Sequence, residues 1–520
     1  MLGGVKLPST PETKAVFSVT TIVLVGKGLG LVREILFAAY MGGGALADAF
    51  AFASLMPRLI LDAMFAAAIS ASFIPVFNAH LQAQGKQAAF ALANNFLNVV
   101  LALSTMVAAV AWWLAPAIVS MGAPGFSQYY ANLTSNLLRI MLPLLILSSM
   151  AFSLSGVLQS FGRFNAPAAM SLASNGLVIL YYLLLFDKFG VYGLAFVFLA
   201  GWSSQLLIQL PSLYSCGFRY RPILRPKEPG LRQVARLVAS AMVFAWVLPL
   251  NLQVNIFSVS HFVGGSTALN LANTVYSIAA GSFVLSIVNV VFPKLSREAL
   301  QPDAFSSTLR FALSGVVYLL APLSIGLGLS AHLVVRVLFL HGLFTPEAGS
   351  LTAVTLVWLC VGMVGFGLQT VLSRAFFAKE DGRTPLMAAI MAVGVNALIS
   401  FGLAPRLGVM AAALGSSLSM TLCAIILFAA LTKSTPGVWN AKATFNVLKM
   451  LASAISMGFL VLLTQGLALP IEPSFISDII MLVISGILGV AAYLAISYVF
   501  AVEETRLFIG FLKIRIIKIK

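Results

Sequence analysis

Apolar runs long enough to cross a bilayer recur along the whole chain, and they constrain the fold more than any other feature. A transmembrane helix needs about 20 predominantly apolar residues. Fourteen such runs are present, at 15–41, 46–77, 88–115, 131–158, 167–186, 190–215, 233–262, 268–292, 306–330, 350–376, 384–402, 408–431, 444–468 and 476–501, separated by short Pro, Gly or charged punctuation. The only other spanning architecture, a closed β-barrel, alternates apolar and polar residues over about ten positions. Runs such as AFVFLAGWSSQLLIQL do not alternate. The chain is therefore read as an all-α polytopic membrane protein. Composition closes the alternatives: 60% of the 520 residues are hydrophobic and 9% charged, against about a quarter charged in an ordinary globular protein. That leaves too little polar surface to coat a soluble body, and excludes a soluble enzyme, a disordered chain and a disulfide scaffold.

Lys and Arg in short loops stay cytoplasmic. With the N-terminus inside, the cytoplasmic side receives nearly all the loop cations, including Arg219, Arg221, Arg225, Lys227 and Arg232, and the outer side only Lys188, Arg336 and Arg406. An even number of spans then keeps the basic tail after Glu504 inside, as an interfacial segment or a frayed anchoring end. The formal charge of +16 follows from this topology and from contact with anionic lipids, with no nucleic-acid partner. Cys216, Cys360 and Cys423 lie far apart, and the four histidines never adopt ligand spacing, so neither a disulfide framework nor a metal site is expected. No phosphate-binding GxxxxGK[ST] string and no paired acid and base or nucleophile with its base is seen, so the reading is a transporter and not an enzyme, without a cofactor.

Two proline pairs, Pro75 with Pro293 and Pro167 with Pro385, are each 218 residues apart, at matching places six spans apart. An even number of spans preserves orientation, so the repeat is parallel. The expected organisation is an N-lobe of six helices at 1–231, a C-lobe of six at 232–431, related by a pseudo-two-fold axis, and two further helices with the basic tail at 432–520.

Charge within the spans is concentrated in the first two: Lys27, Arg33 and Glu34, then Asp48, Arg58 and Asp62. Each costs about 2.5–3.5 kcal/mol at a helix centre and should face a protein interior or a water-filled cavity. Lys27 and Asp62 lie at similar depth and form a reasonable pair. Glu34 points about 100° away from Arg33 and Asp48 lies roughly 9 Å higher, so Arg33 is expected to have no good partner and to be suited to an anion such as a phosphate, for which its planar fork is bidentate. The alternative is that these charges only stitch two helices together. Gly26, Gly28 and Gly30 permit close packing or a bend. Arg139 is either a further cavity cation or a snorkelling residue at the end of its span.

The stretch VGKGLGLVREILFAAYMGGGALADAFAFASLMPRLI, with ASFIPVF, MGAPGF, LLRIMLP and LQSFGRFNAPA, resembles the MurJ (MviN) family of lipid II flippases, within the multidrug, oligosaccharidyl-lipid and polysaccharide exporter superfamily. The likeness runs from about residue 15 to 430. It implies two six-helix lobes, two C-terminal helices forming a groove for a lipid tail, and functional roles for Lys27, Arg33 and Asp48. The chain departs from the family pattern at Leu61, Asp62 and Ala66, where an arginine pair and a glutamate are typical, and at Thr274, where an arginine is typical; Arg58 is placed to compensate for one loss. Asn251, Gln253, Asn255, Asn396 and Ser400 stand in the seventh and eleventh spans, where sodium-binding members carry acids, which argues against sodium coupling.

The resemblance implies a flippase for an undecaprenyl-diphosphate-linked precursor, lipid II, in the bacterial cytoplasmic membrane. Its expected substrate cavity holds Arg33, Lys27, Arg58, Asp48, Glu34 and Asp62, with Arg139, Thr274, Asn255 and Asn396 as further lining. The alternatives are a flippase for another polyprenol-linked glycan, a cation-coupled multidrug antiporter using Asp48 or Asp62, and a scaffold that partners cell-wall synthesis proteins.

Overall fold

The computed structural model describes residues 11–61, 73–225, 227–235, 247–435, 437–466 and 474–507, and every regular element among them is helical. Lipid imposes this, because only a helix satisfies its own backbone N–H and C=O groups where there is no water. The chain divides into two compact units, Met1–Val263 and Gly264–Lys520.

The first unit contains α1 (Pro11–Met41), α2 (Ala45–Leu61), α3 (Ile74–Trp113), α4 (Ala115–Gly122), α5 (Gln128–Met141), α6 (Leu144–Ser160), α7 (Asn165–Leu184), α8 (Phe186–Leu207), α9 (Leu210–Ser215) and α10 (Val247–Val259). The 40 residues of α3 are not one straight rod: Gly85, at φ 79°, separates a short arm from the spanning part. The second unit contains α11 (Gly265–Tyr276), a π-helical turn at Ser277–Gly281, α12 (Ser282–Glu298), α13 (Pro302–Leu329), α14 (Ala331–Phe339), α15 (Pro346–Val361), α16 (Met363–Ala378), α17 (Arg383–Leu407), α18 (Met410–Ser434), α19 (Ala441–Gly466) and α20 (Phe475–Val499).

Among the described residues ten helical stretches are long and apolar enough to span a membrane, and eleven if the pair α15 and α16, bent by 45°, is one span. These coincide with eleven of the fourteen expected spans. Of the other three, the first is covered by α1, while the second and seventh run through 62–72 and 236–246, outside the described residues.

The 218-residue repeat is written into the backbone. Pro167 and Pro385 are each the third residue of their helices, α7 and α17. Gly162 and Glu380, again 218 apart, both turn the chain with positive φ (70° and 60°), and so do Gly190 and Gly408 (53° and 57°). The other pair is less alike: Pro75 is in the first turn of α3, whereas Pro293 lies inside α12.

In the second unit α19 and α20 pack on α13 through a buried cluster of Val317, Ala321, Met450, Ala454, Met457, Val461, Tyr493 and Val502. Small residues allow the approach, as lipid-embedded helices require; a Cβ on Gly458 would come within 2.7 Å of Ile325 Cγ2. The chain after α20 is tied down by polar contacts. Asn446 donates to Glu504 (2.8 Å), and the Thr505 hydroxyl is hydrogen-bonded to the hydroxyls of Tyr318 (3.0 Å) and Ser497 (2.8 Å), donating to one and accepting from the other. The rest of the basic tail, 508–520, lies outside the described residues.

Candidate functional site

One charged pair of the first unit, Arg33 and Glu34, is organised where α1 meets α7. The helices come together at Gly26, where a Cβ would overlap Ser171 Oγ. Asn175 of α7 is buried there and donates to the Gly26 carbonyl (3.2 Å). Its Oδ1 accepts from Arg33 Nη1 (3.1 Å), Arg33 Nη2 donates to Glu34 Oε1 (2.5 Å), and the guanidinium lies 5.7 Å from the centre of the Phe198 ring on α8.

Arg33 is therefore not the partnerless cation that helix geometry implied. Cα directions 100° apart do not keep neighbouring side chains separate when one is an arginine, whose long arm folds back on Glu34. The node nonetheless retains binding capacity. Two of the five guanidinium N–H donors are committed in these contacts, and the Arg33 side chain keeps 28% exposure against 12% for Glu34. A guanidinium oriented from two sides, with donors left over, is suited to grip a phosphate oxygen.

The other expected residues are dispersed. Asp48 is 2% exposed in the first turn of α2, where the helix N-terminus favours a negative charge. Arg58 is exposed in the last turn of the same helix, about 15 Å from Asp48 along the axis. Lys27 is exposed on α1. Asp62, and with it the Lys27–Asp62 pairing, lies outside the described residues. Arg139 sits 5.0 Å from the centre of the half-exposed Trp112 ring, and its Nε donates to the Trp112 carbonyl (3.3 Å). Asn255 is buried in α10. Thr274 is half-buried just before the π-helical turn, and its hydroxyl donates to the Asn270 carbonyl (3.0 Å). Asn396 is fully buried with Ser400, whose Oγ donates to Asn396 Oδ1 (3.1 Å), against Gly415 of α18, where a Cβ would stand 2.5 Å from Asn396 Oδ1.

The MGAPGF segment has a structural task. Gly125 meets the backbone of Ser260 and His261 at the end of α10, so closely that a Cβ would overlap the Ser260 carbonyl. Phe126 packs edge-on against Phe52 of α2 (6.0 Å), and Gln253 donates to the Gly122 carbonyl (3.2 Å). This joins α2, α4 and α10, with no side chain on the Gly125 backbone where it meets α10. The second unit contributes an apolar pocket of about 510 Å³ between α12, α13, α14, α19 and α20, lined by Phe283, Leu323, Met457, Val461, Leu482 and Val490 among others.

A family model described as "Lipid II flippase MurJ" matches residues 37–484. The chain belongs to the MurJ family. A probable lipid II flippase MurJ of Vibrio cholerae is 27% identical over 499 residues, covering 92% of this chain and 94% of the relative. The lipid II flippase MurJ of Burkholderia cenocepacia is 27% identical over 434 residues, covering 81% and 84%. Among solved structures, a lipid II flippase MurJ in an inward closed conformation superposes with TM-score 0.80 at 21% identity, over 93% of this chain and 98% of that one. A multidrug-resistance MATE transporter of the MOP superfamily in an inward-facing conformation gives TM-score 0.68 at 16% identity, over 81% and 98%. MurJ membership accounts for the two-unit helical architecture, and the MATE likeness shows that the same fold extends beyond MurJ.

Asn175 was not singled out by the sequence. Its signal is an amide in an otherwise apolar span; Asn396 is such an amide too, but it is the family pattern of the eleventh span that singles it out. Phe198 gave none, since one aromatic among many in an apolar run is indistinguishable from lipid-facing filler.

Proposed function

We propose that this protein is a flippase that moves an undecaprenyl-diphosphate-linked cell-wall precursor, lipid II, from the inner to the outer leaflet of the bacterial cytoplasmic membrane by alternating access, with both termini cytoplasmic. The observation that carries the reading, beside membership of the family, is the Arg33 guanidinium: it is braced by Glu34 and Asn175 within a spanning helix and keeps donors for an anion. A diphosphate is the anionic part of such a lipid, and we assign Lys27, Arg58, Asp48, Glu34 and Asp62, the further charges of the first two spans, to its path through the protein. The apolar pocket beside α19 and α20 suits a polyprenyl chain, for which burial of each CH₂ contributes about 0.8 kcal/mol. The drive needs no ion gradient, since outward movement of negative charge against an inside-negative potential is favourable by about 2.3 kcal/mol per charge per 100 mV.

The test is complementation of a bacterium depleted of its lipid II flippase. Rescue of growth and shape by this chain, and loss of rescue in Arg33→Ala at unchanged membrane level, is the expected outcome. Failure of the parent chain to rescue while present in the membrane would turn the reading toward another polyprenol-linked glycan.

A further inference from the structure

The segment between α9 and the next described helical turn is basic, and the structure fixes the path of 217–225. Three asparagines on one stretch of α3 hold its backbone. Asn94 Nδ2 donates to the Arg219 carbonyl (3.0 Å) and Asn94 Oδ1 accepts from the Arg221 N–H (2.9 Å). Asn95 repeats the pattern on Arg225, donating to its carbonyl (2.8 Å) and accepting from its N–H (2.7 Å). Asn98 Nδ2 donates to the carbonyls of Arg221 (3.1 Å) and Ile223 (2.9 Å), and its Oδ1 accepts from Tyr220 Oη (2.5 Å). Asn94 and Asn95 are at most 2% exposed. Amides buried in a spanning helix are costly unless fully bonded, and here their donors and acceptors go to a neighbouring strap of chain.

The consequence concerns the side chains that the strap leaves over. Arg219, Arg221, Arg225 and Lys227 are all exposed, because the contacts that hold the strap use its main chain. Its one carboxylate, Glu228, is turned back to accept from Asn95 Nδ2 (2.6 Å). Around the cations stand exposed Tyr214, Tyr220 and Leu224, at 52%, 52% and 60%, with the Arg219 guanidinium 4.9 Å from the centre of the Tyr214 ring. Cations mixed with exposed tyrosine and leucine are the composition of a surface at the headgroup level, where aromatic rings and basic side chains both find their medium.

We infer that the strap 219–225, with Lys227, is a preorganised binding site for anionic phospholipid headgroups of the inner leaflet. The inference rests on the cytoplasmic placement of this loop, which follows from the cytoplasmic N-terminus of the proposed function and the six spans before it. Clamping by Asn94, Asn95 and Asn98 removes the backbone freedom that a loose basic loop would lose on binding, so the asparagines are positioning residues and the cations are the contacts.

The test uses the full chain, purified in a neutral detergent and titrated with short-chain phosphatidylglycerol, short-chain phosphatidylcholine or inorganic phosphate, with thermal unfolding and direct lipid binding as readouts. Phosphatidylglycerol should bind and raise the melting temperature, phosphatidylcholine and phosphate should do neither, and added salt should weaken the effect. Each cation replaced should lower apparent affinity about five-fold, so Arg221→Gln/Arg225→Gln should lower it markedly while melting like the parent in detergent alone. Asn95→Ala should weaken binding with all four cations present. Unchanged phosphatidylglycerol affinity in Arg221→Gln/Arg225→Gln would overturn the inference, and so would equal binding of phosphate, which would make the site one for a soluble anion. If the double variant melts early, direct binding to it below its melting point decides in the same way. Impermeant labelling of Lys227→Cys in cells separates the two readings. Labelling from outside would sink the orientation, whereas protection from label with no lipid preference would sink only the lipid site.

Discussion

The two units share a backbone plan and differ in what they build on it. At positions 218 apart both turn the chain with positive φ and both begin a helix with proline at the third residue. The chemistry at equivalent levels is not repeated. In the first unit the helix that follows the shared proline carries Asn175 against a charged pair, Arg33 and Glu34; in the second, the position 218 residues on is Val393, and the amide of the corresponding helix, Asn396, stands about one turn further along, against Ser400 and Gly415. The loop after the last helix of each lobe is also held differently. Three asparagine amides clamp 219–225 in the first unit. In the second, Arg310 donates to the carbonyls of Val438 (3.1 Å) and Gly437 (2.8 Å), and Lys379 donates to Thr435. A repeat is thus preserved where geometry demands it, at turns and close approaches, and is free to diverge in the polar groups placed between helices.

The comparison can be broken most directly at Arg33. Arg33→Ala should abolish rescue of a flippase-depleted strain with the protein still in the membrane, and Arg33→Lys should rescue partly, because a lysine lacks the fork that reaches both Asn175 and Glu34. Asn396→Val, at the amide of the corresponding helix in the second unit, should leave substantial rescue. Equal loss in Arg33→Ala and Asn396→Val, at equal membrane levels, would erase the functional asymmetry of the units.

Packing gives the next effect. Gly125→Ala forces a methyl group into the Ser260 backbone, which cannot rotate away as a side chain would, and should destabilise by about 1–3 kcal/mol. Gly394→Ala in α17, where a Cβ meets nothing within 4 Å, should be neutral or slightly stabilising. Thermal unfolding in detergent compares the two; a Gly125→Ala variant that melts with the parent would show that the α10 junction yields.

A smaller effect tests the shared turn itself. Glu380 adopts the positive φ that Gly162 supplies in the first unit, and Cβ strain there is on the order of 1 kcal/mol. Glu380→Gly should raise the melting temperature and Gly162→Ala should lower it. The same sign in both would mean that the two turns are not equivalent.

The smallest effect depends on pH. Asp381 accepts from Thr384 Oγ1 (2.6 Å) and from the N–H groups of Arg383 (2.9 Å) and Thr384 (3.1 Å). The Thr384 hydroxyl foremost, with these N–H groups, holds its carboxyl below the ordinary carboxylate range. The stabilisation is present above the unfolded pKa of about 4 and is lost as pH falls through the lower folded value. The equivalent position in the first unit, 218 residues earlier, is Arg163, which offers no such acceptor. Asp381→Asn should therefore flatten the acid limb of the melting profile slightly, and an unchanged limb would remove Asp381 from the account.

Much of this was legible in the chain itself. Hydropathy is a local property, and a bilayer that leaves no backbone group unsatisfied turns each apolar run into a helix whatever its neighbours are, so the spans and the 218-residue repeat follow from sequence alone. The intramembrane charges were equally visible, because each is an exception in an apolar run. What the sequence left undetermined is which groups meet. Asn175 reaches Arg33 across 142 residues, and Asn94, Asn95 and Asn98 grip a strap more than 120 residues away. The triplet NNFLN was in plain view without a partner to explain it. Such pairings depend on the rotation and height of helices set by packing along their whole length, in which a displacement of one residue turns a side chain by about 100°. Only the tertiary structure decides that.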